Sequence, residues 1–311
     1  MKTVYNYQNS WDKEVVNKAV TKEFPDFELD KIEIHPSVKC QLNCPWCYGR
    51  SLKTKQKEVP FKIYEKNVFD CLENKPVIMI GGLYTDPLLY SNIRELFGVI
   101  GRLGLRFGLY TNGLALTKNF ILHIGSAGFW GRDSFISFDI SASLHVNKFD
   151  KVLKNIKQCK EYGFVQINAP ILLTDDILVN IEEIHKKLLD AGVDNIRYSV
   201  PQEPVNPRYE LVNKLAGPNV FIELTYKTNQ HCYVMTNSLS VAPDGRVYPC
   251  SQVCAPSFEY LTIGSITEKK ITDIWHSDKH KKIFKNFNPS KDICRCNRID
   301  GKFNDLCESY R

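Results

Sequence analysis

The chain has 311 residues with 43% hydrophobic content, enough for one large domain or a domain with an appendage, and it should fold as a soluble globular protein. Lys and Arg total 41 against 35 Asp and Glu, an excess of +6 spread without a block of five or six like charges, so nucleic-acid binding is not indicated. No run approaches the roughly 18 consecutive apolar residues of a membrane span, and the opening residues carry no apolar core behind their early lysine, so the cytoplasm is the expected location.

The first 30 residues predict only a short helix over 11–20 and are treated as an N-terminal extension. From residue 31 short β-rich apolar runs alternate with segments of helical period, the pattern of βα units around a parallel sheet. Strands are expected at 31–35, 77–82, 105–111, 135–140, 165–171 and 195–200, and helices at 62–74, 91–103, 117–127, 148–162 and 177–191. Six such units over 31–203 make an α/β fold, a partial (β/α)6 barrel. In such folds ligands gather at the C-terminal strand ends.

Residues 201–219 hold four prolines, so 204–225 reads as a connector with some structure of its own. Beyond it, 226–311 forms a small α+β domain. Runs at 233–241 and 246–248 flank Ala242-Pro243-Asp244-Gly245, a turn signal that predicts a hairpin, and a helix is expected over 271–284.

The eleven cysteines are the most informative residues. A cytosolic chain of this size keeps thiols reduced and available for metal. Cys40, Cys44 and Cys47 follow the first strand with the spacing C-x3-C-x2-C. Three thiolates on a four-iron cluster leave one iron open for a ligand. The competing reading, a zinc knuckle, lacks a fourth Cys or His close behind. Cys232, Cys250, Cys254, Cys294, Cys296 and Cys307 all fall in the last 80 residues, and Cys71 and Cys159 lie on expected helices as small buried hydrophobes.

Cys40-Gln-Leu-Asn-Cys44-Pro-Trp46-Cys47-Tyr48 resembles the radical S-adenosylmethionine (SAM) motif. The resemblance implies a catalytic [4Fe–4S] cluster on the three cysteines, SAM chelated to the open iron, and Trp46 and Tyr48 in the cofactor loop. It also implies reductive cleavage of SAM to a 5′-deoxyadenosyl radical that abstracts a substrate hydrogen. Gly81 and Gly82, ending the second strand, let backbone approach a ligand. The family continues this pair as Gly-Gly-Glu-Pro, and here Asp86 or a backbone carbonyl is the candidate replacement. Thr111-Asn112-Gly113 resembles the family's third-strand element. Ser137 and Asp139 occupy the fourth-strand position that reaches the SAM ribose, sharing one face of an alternating strand. Asn168 and Tyr198, with Ser199, are further candidates at strands five and six.

Cys232-x12-Gly245-x4-Cys250, with Pro-Asp-Gly-x-Val-Tyr-Pro-Cys and a downstream Ile263-Gly-Ser-Ile, resembles the auxiliary-cluster region of the SPASM and twitch subfamilies. A full SPASM domain needs about seven cysteines, so one auxiliary [4Fe–4S] cluster is expected, on Cys232, Cys250, Cys294 and Cys296, with Cys307 able to replace one. Cys254 is then left over, as a free thiol of no special role, a further cluster ligand, or a candidate hydrogen-atom donor, the last a role an epimerase needs and a dehydrogenase does not. The resemblance implies an oxidoreductase or epimerase acting on an unactivated C–H of a sugar, aminocyclitol, nucleoside or peptide, served by a flavodoxin or ferredoxin electron donor. Alternatives are a peptide maturase forming a cross-link, a tRNA-modifying enzyme, for which the scattered charge shows no basic groove, and a zinc-stabilised binding protein without activity. The ending Glu-Ser-Tyr-Arg sets aside the molybdopterin branch.

Overall fold

The computed structural model describes residues 16, 20, 29–47, 57–82, 85–129, 134–163, 166–200, 207–223, 232–254, 256–289 and 298–309. In chain order the strands are β1 (Lys31–Ile34), β2 (Val77–Ile80), β3 (Phe107–Thr111), β4 (Phe135–Phe138), β5 (Gln166–Leu172), β6 (Asn195–Ser199), β7 (Val220–Glu223), β8 (Ser238–Val241), β9 (Arg246–Tyr248) and β10 (Gly264–Ser265). The helices are α1 (Phe61–Asn67), α2 (Ile93–Arg102), α3 (Lys118–Ile124), α4 (Ile140–His145), α5 (Phe149–Glu161), α6 (Asp175–Val179), α7 (Ile181–Asp190), α8 (Ile271–Ile274), α9 (Asp278–Asn286) and α10 (Arg298–Ser309).

These elements fall into two compact units interleaved along the sequence: 1–38, 54–83 and 226–311 make one, and 39–53 with 84–225 make the other. In the first, β1 pairs in parallel with both β2 and β8. The register aligns Ile32 with Ile78 and Leu239, and Ile34 with Ile80 and Val241, so one face is a continuous apolar stripe. Glu33, Met79 and Ser240 line the other. The expected hairpin is present, β8 pairing antiparallel with β9, and Gly245 turns it at φ 85°. β10 extends it on the far side of β9.

The second unit carries β3 to β7, all parallel. Leu109, Ile136, Ile167, Ala169, Ile196 and Tyr198 share one face by register, and Ser137, Asn168 and Arg197 share the opposite one. Burying the first set under α2, α3, α5 and α7 is what the helical periods of those segments provide, since each helix turns an apolar stripe inward.

The connector carries structure of its own: β7 pairs with β6 behind a run of 3₁₀ turns at Pro207–Leu215. Two expectations need correction. The helix expected over 271–284 is two helices, broken where His276 takes a positive φ of 61° and Ser277 caps α9 by accepting from the His280 N–H. The fourth strand stops at Phe138, and Asp139 begins α4. α10 was not expected at all.

Candidate functional site

Cys40, Cys44 and Cys47 lie on the loop that opens the second unit. Cys40 is exposed, Cys47 half-buried and Cys44 buried, and all three thiols are free. A turn closed by the Cys47 N–H on the Cys44 carbonyl at 3.0 Å folds the loop back. Burial, then the charges of Asp139, Cys47 and Cys40, push the Cys44 thiol up to about 12. A thiol held up in this way deprotonates readily once a cation stands beside it. Among the described residues no three such side chains converge as one ion would require. A cubane does not require it, because its thiolates sit on different irons.

Asp86 underpins this loop. Its N–H donates to the Lys39 carbonyl at 2.9 Å. Its carboxylate, 1% exposed, accepts from the Leu88 N–H at 3.0 Å, the Thr111 hydroxyl at 2.8 Å and the Asn112 N–H at 2.9 Å. Burial raises its pKa against the pull of those three donors. With both oxygens engaged, Asp86 is a brace between strand ends, a structural part beyond the expected one of replacing a SAM-binding glutamate. Thr111 in turn accepts from the Gly113 N–H at 3.0 Å, and Asn112 bonds Gln41 at 2.9 Å. Gly113 itself turns at φ 77°, where a side chain would meet the Phe138 ring at 2.6 Å.

Asp139 is the N-cap of α4, accepting from the Ala142 N–H at 3.2 Å. Asp139 is exposed, yet desolvation by surrounding protein raises its pKa against the pull of the Ala142 N–H and of the Arg197 charge. Ser137, Asn168 and Arg197 lie on one sheet face. Asn168 Oδ1 accepts from Gln166 and Asn195, while its Nδ2 and Arg197 Nε are buried without a partner among the described residues. Such orphaned donors fit a polar ligand. Arg197 escaped the sequence reading, although alternation in Asn-Ile-Arg-Tyr-Ser places it beside Asn168. Tyr198 is corrected: it faces the helices, its hydroxyl 2.8 Å from His185 Nδ1 and its ring stacked on that histidine.

Trp46 meets His145 edge-on, with ring centroids 5.0 Å apart. Beside them a cavity of about 430 Å³ is lined by Phe149, Thr174, Glu183 and Lys187. Tyr48, Cys294 and Cys296 lie outside the described residues.

In the first unit Gly81 passes the ring of His35, where a Cβ would meet Cε1 and Nδ1 at 3.3 Å. This close side-chain approach is one reason for glycine there. Gly82 follows it, half-buried. Cys250, Cys254 and Cys307 are buried in one apolar cluster with Tyr233, Tyr248 and Leu261, and Cys232 packs against it. Burial, then the charges of Glu33 and Asp244, raise the Cys254 thiol well above its ordinary range. Cys159 is fully buried, as expected for a packing thiol, whereas Cys71 is half-buried and bonds back to the Val68 carbonyl at 3.1 Å.

Residues 232–297 match the family model of the SPASM iron–sulfur cluster-binding domain. Three solved structures share the fold. SuiB of Streptococcus suis bound to the precursor peptide SuiA matches with a TM-score of 0.66 at 16% identity, over 91% of this chain and 72% of that one. Native anSMEcpe with bound AdoMet matches at 0.61 and 15%, over 90% and 96%. BtrN in complex with AdoMet and 2-DOIA matches at 0.50 and 19%, over 88% and 95%. All three are radical SAM enzymes of the SPASM or twitch type.

This chain has the radical SAM fold and carries a SPASM domain. The expected partial barrel with an appended cluster domain is therefore its architecture. A curated relative, an uncharacterised protein of Methanocaldococcus jannaschii, is 27% identical over 156 residues, 47% of this chain and 51% of that protein, so the match spans about half of its length. Within the SPASM match lie Cys232, Cys250, Cys254, Cys294 and Cys296, whereas Cys307 falls beyond it on α10. No described helix is long and apolar enough to cross a membrane.

Proposed function

We propose that this chain is a radical SAM enzyme that abstracts a hydrogen atom from an unactivated C–H of a peptide or small natural-product substrate, giving dehydrogenation or epimerisation. The observation that carries the reading is the C-x3-C-x2-C loop seated on the Asp86–Thr111–Asn112 brace. A cluster and SAM bound there supply the 5′-deoxyadenosyl radical. Cys40, Cys44 and Cys47 would hold that cluster, and their number leaves one iron open.

The protein's own part is to position and to exclude. Asp139, fixed by its cap bond, and Ser137, Asn168 and Arg197 on one polar face offer hydrogen-bonding groups to the cofactor or substrate. The first segment, 31–203, carries this chemistry, and 226–311 holds one auxiliary cluster on four of Cys232, Cys250, Cys294, Cys296 and Cys307. A flavodoxin or ferredoxin is the proposed electron source. A peptide substrate is supported by the peptides in the SuiB and anSMEcpe structures, which align at TM-scores of 0.66 and 0.60.

Dehydrogenation consumes one SAM per oxidised product. Epimerisation needs a hydrogen donor, and Cys254 is the proposed thiol, provided it opens onto substrate from its present burial. Incubation with SAM and reductant in deuterated buffer tests the reading: 5′-deoxyadenosine forms in wild type and is lost in Cys40→Ala. Deuterium in the product, abolished by Cys254→Ala, marks epimerisation. No 5′-deoxyadenosine with iron-loaded wild type under any reductant would contradict the reading.

A further inference from the structure

The Asn112 side chain is aimed by its neighbours. Its Oδ1 accepts from Gln41 Nε2 at 2.9 Å and from the Leu114 N–H at 2.9 Å. Rotating the amide by half a turn would set its NH₂ against both donors, so the network fixes which end is which. Its backbone N–H is tied to the Asp86 carboxylate at 2.9 Å. The Nδ2 end therefore points at Cys40 Sγ, 3.9 Å away, at the outer reach of a hydrogen bond to sulfur. The Leu42 N–H approaches the same sulfur at 3.4 Å. Cys40 thus receives a side-chain donor and a backbone donor, and only the first can be changed by substitution.

We propose that Asn112 is a tuning residue for the iron held by Cys40, donating through Nδ2 to the ligand sulfur, with Asp86 and Gln41 as the positioning residues that aim it. The inference rests on the functional reading above. A donor to a ligand sulfur withdraws charge from the cluster and favours its reduced, more negative state.

The test is an anaerobic redox titration of the intact, reconstituted protein. It follows only the electron paramagnetic resonance signal that SAM perturbs, so the auxiliary cluster does not interfere. At a poise equal to the wild-type midpoint, Asn112→Ala should lower the ratio of reduced to oxidised catalytic cluster by about threefold or more. Asn112→Asp should lower it further, because a carboxylate then faces the sulfur. Iron content should stay close to wild type. Gln41→Ala, which frees the amide without removing it, should give a smaller shift of the same sign.

Unchanged midpoints in iron-replete Asn112→Ala and Asn112→Asp would overturn the proposal. Should both variants fail to retain iron, Gln41→Ala decides: a lowered midpoint supports the proposal and an unchanged one overturns it. Absence of a SAM-perturbed signal from wild type would instead defeat the functional reading, and this inference with it.

Discussion

Thr111→Val replaces one hydroxyl by a methyl group of the same shape, and the structure sets the cost. The hydroxyl donates to the buried Asp86 carboxylate at 2.8 Å and accepts from the buried Gly113 N–H at 3.0 Å. A hydrogen bond to a charged group contributes roughly 1.5–3 kcal/mol, and an N–H left without an acceptor costs a further ~1–2 kcal/mol. The new methyl returns at most about 0.8 kcal/mol. The net loss is about 3 kcal/mol. Thr111→Ser keeps both bonds and should lose only about 1 kcal/mol. Urea denaturation under reducing, anaerobic conditions, followed by circular dichroism, gives both values. A cycle with Asp86→Asn should yield a coupling of about 1 kcal/mol or more. If Thr111→Val falls within about 0.5 kcal/mol of wild type, or costs less than Thr111→Ser, the brace is not what holds the loop.

Three further outcomes are expected. On helix α2, a Cβ at Gly101 would lie 1.9 Å from the Ala127 carbonyl oxygen while Gly98 has open space, so Gly101→Ala should lose about 3 kcal/mol or more and Gly98→Ala should be neutral or gain up to ~1 kcal/mol, read as melting temperatures. His280 is held neutral, its pKa lowered to about 3 by burial and by nearby His276 against the pull of the Met235 carbonyl. The unfolded chain protonates below about 6.5, so stability from this group is complete above that pH and is lost as pH falls, by about 1.4 kcal/mol at pH 5.5; His280→Asn should flatten the stability profile between pH 7.5 and 5.5, and an equally steep profile would exclude this source. Cys232→Ala combined with Cys250→Ala should remove about four irons while leaving the SAM-perturbed signal, whereas loss of that signal would mean the two cysteines serve the catalytic cluster.

The strands were legible because each is a short apolar run closed by polar residues, and β1 to β6 differ from expectation by a residue or two at their ends. β7 was hidden by the proline-rich stretch before it, whose turns occupy 207–215 while Val220–Glu223 pairs normally. Asp86 and Asp139 stand out in the sequence by their places in a motif, and local chemistry gives each a structural part as well: Asp86 precedes Pro87, the usual start of a helical turn, and Asp139 opens Ile140–His145 as its cap. Tyr198 was misplaced. Position at a strand end says nothing about face, and only the register with Ile171 turns it to the helix side. The brace joining Asp86 to Thr111 and Asn112 spans 25 and 26 residues, a closeness no local pattern encodes.

The most direct measurement of the central claim is the iron and sulfide content of anaerobically reconstituted protein, wild type beside Cys40→Ala/Cys44→Ala/Cys47→Ala, with electron paramagnetic resonance of the reduced samples with and without SAM. About eight irons falling to about four, and a signal that SAM perturbs only in wild type, is the predicted result. Zinc without iron, or iron unaffected by loss of the three cysteines, would contradict it.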